Sequence, residues 1–178
     1  WDGYPAARQR ITDFVAGSNI NNVIVLTGDV HASWASNLTT DYNNPEAPIF
    51  GAEFVGTSIT SGGNGSDWRA DTAKSLADNP HIKFFNNYRG YVRCQVTPEQ
   101  WRADYRVVPF VTEQGADIST RASFVFEKDQ NGLKEIEAAT VPMGIQMSNE
   151  VEEDRHRAHT RAHEKQMEKK RKREAITN

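Results

Sequence analysis

The amino-acid sequence predicts an α/β protein, more closely an α+β arrangement, on three observations. A helical pattern over residues 4–19 is followed by a short apolar run, Val23–Leu26, and then by polar residues. From Lys83 onward, segments that alternate apolar and polar residues are separated by turn signals, which is typical of antiparallel strands. Beyond Ser148 the chain is highly charged and lacks Gly and Pro, which indicates a charged C-terminal helix. With 178 residues, 37% of them hydrophobic, the chain is long enough to build a core.

The first helix and the first strand lead to a candidate site. Pro5 suits the first turn of a helix, and Gly17 is a stop signal. Three apolar residues share one face of this helix: Ile11, Phe14 and Val15. The β-branched run Val23–Leu26 predicts a strand that is buried on both faces. In an α/β sheet, ligand sites gather beyond the carboxyl end of such a strand.

The remaining elements follow from turn and capping signals. Residues 52–63 are rich in strand-forming types and close on two glycines. A short helix is expected next, with Ser66 as its N-cap and an end before Pro80. From Lys83 the alternating segments predict three or more antiparallel strands, and Asn131-Gly132 is a hairpin signal between two of them.

Composition and charge exclude several classes of protein. The formal net charge of −3 is too small to indicate a nucleic acid or a membrane as the obvious partner. The single cysteine, Cys94, excludes an internal disulfide framework and a thiolate zinc cluster within this chain. Neither a transmembrane run nor a signal peptide is visible in these residues.

The motif "GDVH" carries the chemistry that follows the first strand. Asp29 and His31 lie two residues apart after Gly28, so their side chains can reach the same ion. A carboxylate suits hard cations and an imidazole suits transition metals. The alternative is that Asp29 caps a turn and His31 is an ordinary loop residue.

Several segments together resemble the C-terminal half of PhoD-type alkaline phosphatases. They are, in order, "WDGYP", "NVIVLTGDVHASWA", "EFVGTSITSGG", "NPHIKFFNNYRGYVRCQVTPEQWRADYRVVP", "STRASFVFE" and "EVEEDR" with "AHEKQMEKK". The resemblance runs nearly from Trp1 to Asn178. It implies a calcineurin-like metallophosphoesterase β-sandwich flanked by helices, of which this chain is half.

The same resemblance implies a metal site with Ca²⁺ and Fe³⁺ beneath the substrate phosphate. Asp29 would be a metal ligand, and His31 would be a ligand or a catalytic phosphate contact. Asp2 would be a further ligand, with a turn carboxylate beside Gly3 as the alternative. The other metal ligands would belong to the half that is not in this chain, and Cys94 is not expected to replace them. It lies in an alternating segment typical of a strand, where a buried, inert thiol is expected.

The resemblance also implies two regions, residues 1–148 as part of the phosphatase domain and residues 149–178 as a charged helix that acts as a lid. His156, His159 and His163 share one face of that helix, where metal binding is conceivable and a solvated face is favoured. The basic run Lys169–Arg173 resembles a nucleic-acid patch, although nearby glutamates dilute it.

The function implied is that of a secreted or cell-wall-associated enzyme that hydrolyses phosphate monoesters and diesters for phosphate acquisition. Its substrates would include teichoic acid or phospholipid, it would have no specific nucleic-acid partner, and it would be a monomer when complete. The fragment alone is expected to be inactive. The alternative function is a non-catalytic module that binds an anionic partner through the basic tail.

Three further features are open to two interpretations. His81 opens a predicted strand, so a structural role is favoured over one at the site. Arg89 offers a planar guanidinium to a phosphate, but a surface ion pair is expected. The loop over residues 56–63 supplies hydroxyl and N–H groups that could line a substrate pocket.

Overall fold

The computed structural model describes residues 3–18, 20, 22–130 and 132–137, all within the compact unit Trp1–Val141. These residues form two helices and eight strands: α1 (Pro5–Gly17), β1 (Val23–Thr27), β2 (Ser33–Thr39), β3 (Ile49–Val55), α2 (Thr72–Asp78), β4 (Ile82–Asn86), β5 (Arg89–Val96), β6 (Gln100–Val108), β7 (Ser119–Glu127) and β8 (Lys134–Glu137). The predicted mixture of helices and strands is confirmed. Among the described residues, neither helix is long and apolar enough to span a bilayer.

The strands form two four-stranded sheets. The first has the order β1-β3-β2-β4, with β1 parallel to β3 and β2 antiparallel to both of its neighbours. The second has the order β5-β6-β7-β8 and is antiparallel throughout, as the alternation from Lys83 predicts. Strand β4 is an exception. Most of its residues lie beyond Lys83 in the sequence, yet the strand belongs to the first sheet.

The core lies between the two sheets. Phe54 of β3 belongs to one buried cluster with Tyr105 of β6 and Phe124 of β7. Phe84 of β4 packs against Tyr105 and Phe124, with ring centroids 4.8 and 5.6 Å away. The Tyr105 hydroxyl donates a hydrogen bond to the backbone oxygen of Trp34 at the start of β2. These contacts join the first sheet to the second across the core.

Two local predictions about the first helix and the first strand differ in outcome. Helix α1 begins at Pro5 and ends at Gly17, and the Ser18 N–H bonds to the Phe14 oxygen at 3.0 Å. The prediction that β1 is buried on both faces is wrong, since no residue of Val23–Thr27 is buried and Leu26 is 57% exposed. The reason is that β1 pairs with β3 on one side and is the outer strand of the sheet among the described residues.

Two further corrections concern Ser66 and Cys94. Ser66 does not cap α2, because the cap residue is Asp71 and the Ser66 hydroxyl donates to the Trp68 oxygen at 2.6 Å. Cys94 lies on β5 as predicted, but its side chain is exposed instead of buried. The cause is its place on β5, the outer strand of the second sheet among the described residues.

Candidate functional site

The candidate site forms where four strands end at one edge of the first sheet. The carboxyl ends of β1 and β3 meet there, and the Gly56 N–H donates to the Thr27 oxygen at 2.9 Å. Because β2 and β4 pair in register Ser33 to Asn86, the start of β2 and the end of β4 lie at the same edge. Asp29 and His31 therefore lie beyond the carboxyl end of β1, where the sequence predicts them.

The GDVH residues form a tight turn between β1 and β2. The Val30 N–H donates to the Gly28 oxygen at 2.9 Å, which closes the turn. Asp29 and His31 have backbone φ angles of 74° and 51°, in the left-handed region that residues other than glycine seldom adopt. Both side chains are exposed, and within the described residues the Asp29 carboxylate accepts no hydrogen bond. This argues against the turn-cap alternative for Asp29.

Arg89 lies beneath this edge and corrects an expectation from the sequence. Its side chain is buried, with 1% exposure, and it forms no ion pair with a carboxylate among the described residues. Its Nη1 donates to the Ser58 hydroxyl at 2.7 Å and to the Ser61 oxygen at 2.8 Å. Burial, and then the nearby Arg69 charge, lower the pKa of Arg89. Arg89 therefore holds the loop after β3 from inside the fold.

The loop after β3 brings Gly62 between Arg89 and His31. A Cβ atom on Gly62 would lie 3.3 Å from Arg89 Nη1 and 3.8 Å from His31 Nδ1. Gly62 also has a φ of 89°, which suits glycine. The serine- and glycine-rich loop that the sequence offered as a pocket wall thus lies beside the motif histidine.

A second arginine, Arg69, reaches the GDVH turn from the segment before α2. Its Nη2 donates to the main-chain oxygens of Val30 and His31, at 3.3 and 3.2 Å, and to Asn87 Oδ1 at 2.8 Å. Sequence reasoning missed both Arg69 and Asn87, because no local motif marks them.

Comparison with known proteins gives the family. The profile of the family described as "PhoD-like phosphatase" matches residues 1–105. The chain belongs to the PhoD-like phosphatase family. It is 66% identical over 178 residues to alkaline phosphatase D of Bacillus subtilis (strain 168), covering 100% of this chain and 30% of that protein. A solved structure of PhoD has a TM-score of 0.78 and 66% identity, over 96% of this chain and 33% of that one.

This PhoD-like chain therefore spans about a third of the length of the relatives it matches. The resemblance read from the motifs is confirmed, and the mixed two-sheet fold agrees with a PhoD structure. The kinship does not favour the alternative of a non-catalytic module with a basic binding tail.

The predicted site residues differ in how far the structure of this PhoD-like chain brings them together. Asp29 and His31 share one turn, whereas Asp2 lies outside the described residues. His81 lies toward the other end of β2, where its oxygen accepts from the Asn37 N–H at 2.9 Å and its ring meets Tyr42 edge-on. His81 is thus placed as a structural residue.

The GDVH turn offers donor groups of the types that bind metals. Two such donors are too few to complete a metal site. A carboxylate and an imidazole fit a hard cation and a transition metal respectively, and both are exposed at the strand ends. Within residues 3–18, 20, 22–130 and 132–137, no three His, Cys, Asp or Glu side chains form a cluster suited to a metal. Any complete site would need ligands beyond these two.

Proposed function

We propose that this chain is the C-terminal part of a secreted, metal-dependent alkaline phosphatase and phosphodiesterase. It would hydrolyse phosphate monoesters and diesters, including teichoic acid or phospholipid, for phosphate acquisition. The complete protein would be a monomer without a specific nucleic-acid partner. Its two sheets would form part of a calcineurin-like metallophosphoesterase sandwich.

The observation that carries this proposal is the GDVH turn in a chain that is 66% identical to an alkaline phosphatase D. Two polar residues of ligand type, Asp29 and His31, occupy left-handed backbone positions at the carboxyl end of β1. Such conformations cost free energy and persist where the surrounding structure enforces them, as they do at functional sites. Neither side chain is used in packing, so both are free to meet a ligand.

The metals of this proposal are Ca²⁺ and Fe³⁺, held by Asp29, His31 and Asp2 together with ligands from outside this chain. When bound, such cations neutralise phosphate oxygens and activate the attacking water. The Asp29 carboxylate would hold a cation. The His31 imidazole would either hold a cation or donate a hydrogen bond to a phosphate oxygen.

The charge around the turn suits an anionic substrate. The hydrogen bonds of Arg69 and Arg89 go to backbone, amide and hydroxyl oxygens, and within the described residues no carboxylate neutralises either guanidinium. Two positive charges therefore lie next to His31. Such a field raises the local concentration of a phosphate ester at the strand ends.

The residues from 149 onward lie outside the described residues, and their role stays a proposal. We propose that residues 1–148 belong to the phosphatase domain and that the charged helix 149–178 restricts access to its site. His156, His159 and His163 belong to that segment.

The proposed function is tested by changing Asp29 in the complete gene product. Hydrolysis of a chromogenic phosphodiester is measured with and without calcium and chelator. We expect chelator-sensitive activity in the parent and a loss in Asp29→Ala that exceeds the about 10–100-fold typical of an outer-shell metal partner. Asparagine also tolerates the left-handed backbone conformation. A loss of activity in Asp29→Asn equal to that in Asp29→Ala therefore assigns the effect to the carboxylate charge.

Asp129→Ala is the matched control for backbone strain. Asp129 is also an exposed aspartate with a left-handed φ, of 57°, in the turn after β7. We expect parental activity from this control. Full activity in Asp29→Ala, or a well-folded parent with no activity, would overturn the proposed function.

A further inference from the structure

We infer that Arg69 is a positioning residue for metal binding: it fixes the backbone at His31 and thereby the direction in which the His31 side chain leaves the GDVH turn. The inference rests on the proposed function, since it concerns the same site. Arg69 is 38 residues from His31 in sequence, and its guanidinium crosses to the GDVH turn. Among the described residues, its hydrogen bonds to the turn go to main-chain oxygens, so it acts on the motif through the backbone.

The two carbonyl groups that Arg69 binds are the ones that set the conformation of His31. The Val30 carbonyl belongs to the peptide plane before His31, and the His31 carbonyl belongs to the plane after it. Because Nη2 donates to both oxygens, at 3.3 and 3.2 Å, one nitrogen fixes the planes that define φ and ψ of His31. That residue has a φ of 51°, which costs free energy and needs such restraint.

Arg69 is itself held in place by two contacts outside the GDVH turn. Its backbone N–H donates to the hydroxyl of Thr72 at 2.8 Å, and Thr72 is buried at the start of α2. Its guanidinium carbon lies 5.7 Å from the ring centroid of Phe85, within the range of a cation–π contact. Phe85 in turn packs edge-on against Trp34 of β2, with ring centroids 4.5 Å apart.

Asn87 links this restraint to the loop after β3. Its Oδ1 accepts from Arg69 Nη2 and from Arg89 Nη2, both at 2.8 Å. Arg89 holds Ser58 and Ser61 of that loop, and Arg69 holds the GDVH turn. One amide oxygen therefore connects the two loops that flank His31. Asn87 has a fixed place as well, because its N–H donates to the Ser66 oxygen at 3.0 Å.

The test uses the complete gene product and two substitutions of Arg69. Arg69→Gln removes the cation and the guanidinium fork, whereas Arg69→Lys keeps a positive charge and N–H donors. Iron and calcium bound per protein are measured after dialysis. The calcium concentration that gives half-maximal phosphodiester hydrolysis is then measured in chelator-stripped protein.

We expect Arg69→Gln to lose bound iron or to raise the half-saturating calcium concentration about 10–100-fold, the range found for outer-shell partners. At high metal concentration, kcat should recover. Arg69→Lys should show a smaller effect. Arg93→Gln is the matched control, since it removes an exposed arginine of the second sheet, and it should bind metal like the parent.

Other outcomes decide against the inference. Parental metal retention in folded Arg69→Gln would overturn it, and so would a raised KM with an unchanged metal requirement, which would indicate a substrate contact. If Arg69→Gln does not fold, metal loss in folded Arg69→Lys supports the inference and parental retention overturns it. If the parent hydrolyses no phosphodiester, the proposed function fails, while iron and calcium contents still decide whether Arg69 positions the ligands.

Discussion

Asp29 and His31 share a left-handed backbone conformation that residues other than glycine seldom adopt. In GDVH the sequence indicates a turn with donors of ligand type, because Gly28 and the end of an apolar run are local signals. What the turn rests on is not local. Arg89 reaches Ser58 and Ser61 across 31 and 28 residues, so a sequence pattern gave no reason to prefer burial over a surface ion pair.

Gly62 offers a test of this contact region at the scale of one residue. We expect Gly62→Ala to lower the free energy of unfolding by about 1–2 kcal/mol, because its φ of 89° disfavours any Cβ atom. The added methyl would also crowd Arg89 Nη1 at 3.3 Å, beside His31. The kcat/KM for a phosphodiester should therefore fall in the complete gene product.

Gly115→Ala separates crowding from backbone strain. Gly115 has a φ of 100°, yet a Cβ atom there would meet nothing within 4 Å. Urea unfolding should show a similar loss of stability in both variants, while kcat/KM should fall in Gly62→Ala alone. Equal kcat/KM in the two variants would contradict a role for the space beside His31.

At the scale of elements, three strands of the second sheet are joined by one carboxylate. Arg93 of β5, Asp104 of β6 and Ser123 of β7 are direct partners in strand register. Asp104 accepts from Arg93 at 2.6 Å and from the Ser123 hydroxyl at 2.7 Å, and its side chain is 4% exposed. Burial alone would raise the pKa of Asp104, but hydrogen bonds from Ser123, Arg102 and Arg93 lower it to about 2.

This lowered pKa predicts how stability depends on pH. The stabilisation by ionised Asp104 is fully present above the unfolded pKa near 3.8 and is lost as pH falls toward about 2. At neutral pH we expect the free energy of unfolding of Asp104→Asn to be about 2 kcal/mol lower than that of the parent. This difference in free energy should shrink between about pH 4 and pH 2. Urea titrations across that range measure it.

Asp117→Asn is the control for this measurement, because Asp117 is an exposed residue of the loop between β6 and β7. Its stability should follow the parent at each pH. A constant difference between Asp104→Asn and the parent from neutral pH down to about pH 2 would show that the Asp104 charge does not contribute.

The elements that were predictable are those whose signals are local. Helix α1 has a proline start and a glycine stop, and β5 to β7 alternate between turns. Strand β2 was missed because its sequence, "SWASNLT", lacks an apolar alternation, although five of its seven residues are buried. Its burial comes from its position between β3 and β4, where even polar side chains such as Asn37 find partners. Such a position depends on sheet order, which no local pattern contains.

At the scale of the whole molecule, apolar side chains remain exposed on α1 and β1. Phe14 is 66% exposed, Ile11 49% and Leu26 57%, whereas Val15 on the same helix is buried. The outer edge of β1 is unpaired among the described strands. The chain spans 30% of the length of the alkaline phosphatase D that it matches. These surfaces are therefore expected to be covered in the complete protein and to drive association when the chain is alone.

Phe14→Glu tests this expectation with effects of opposite sign in two proteins. In the isolated 178-residue chain it should reduce self-association, measured by light scattering with size-exclusion chromatography, because it removes exposed apolar area. In the complete gene product it should lower the free energy of unfolding by more than about 2 kcal/mol, since it would bury an unpaired charge. Tyr4→Glu is a control at the helix start, where 73% of the residue is exposed. If Phe14→Glu left the complete product as stable as the parent, this face of α1 would not be an internal contact.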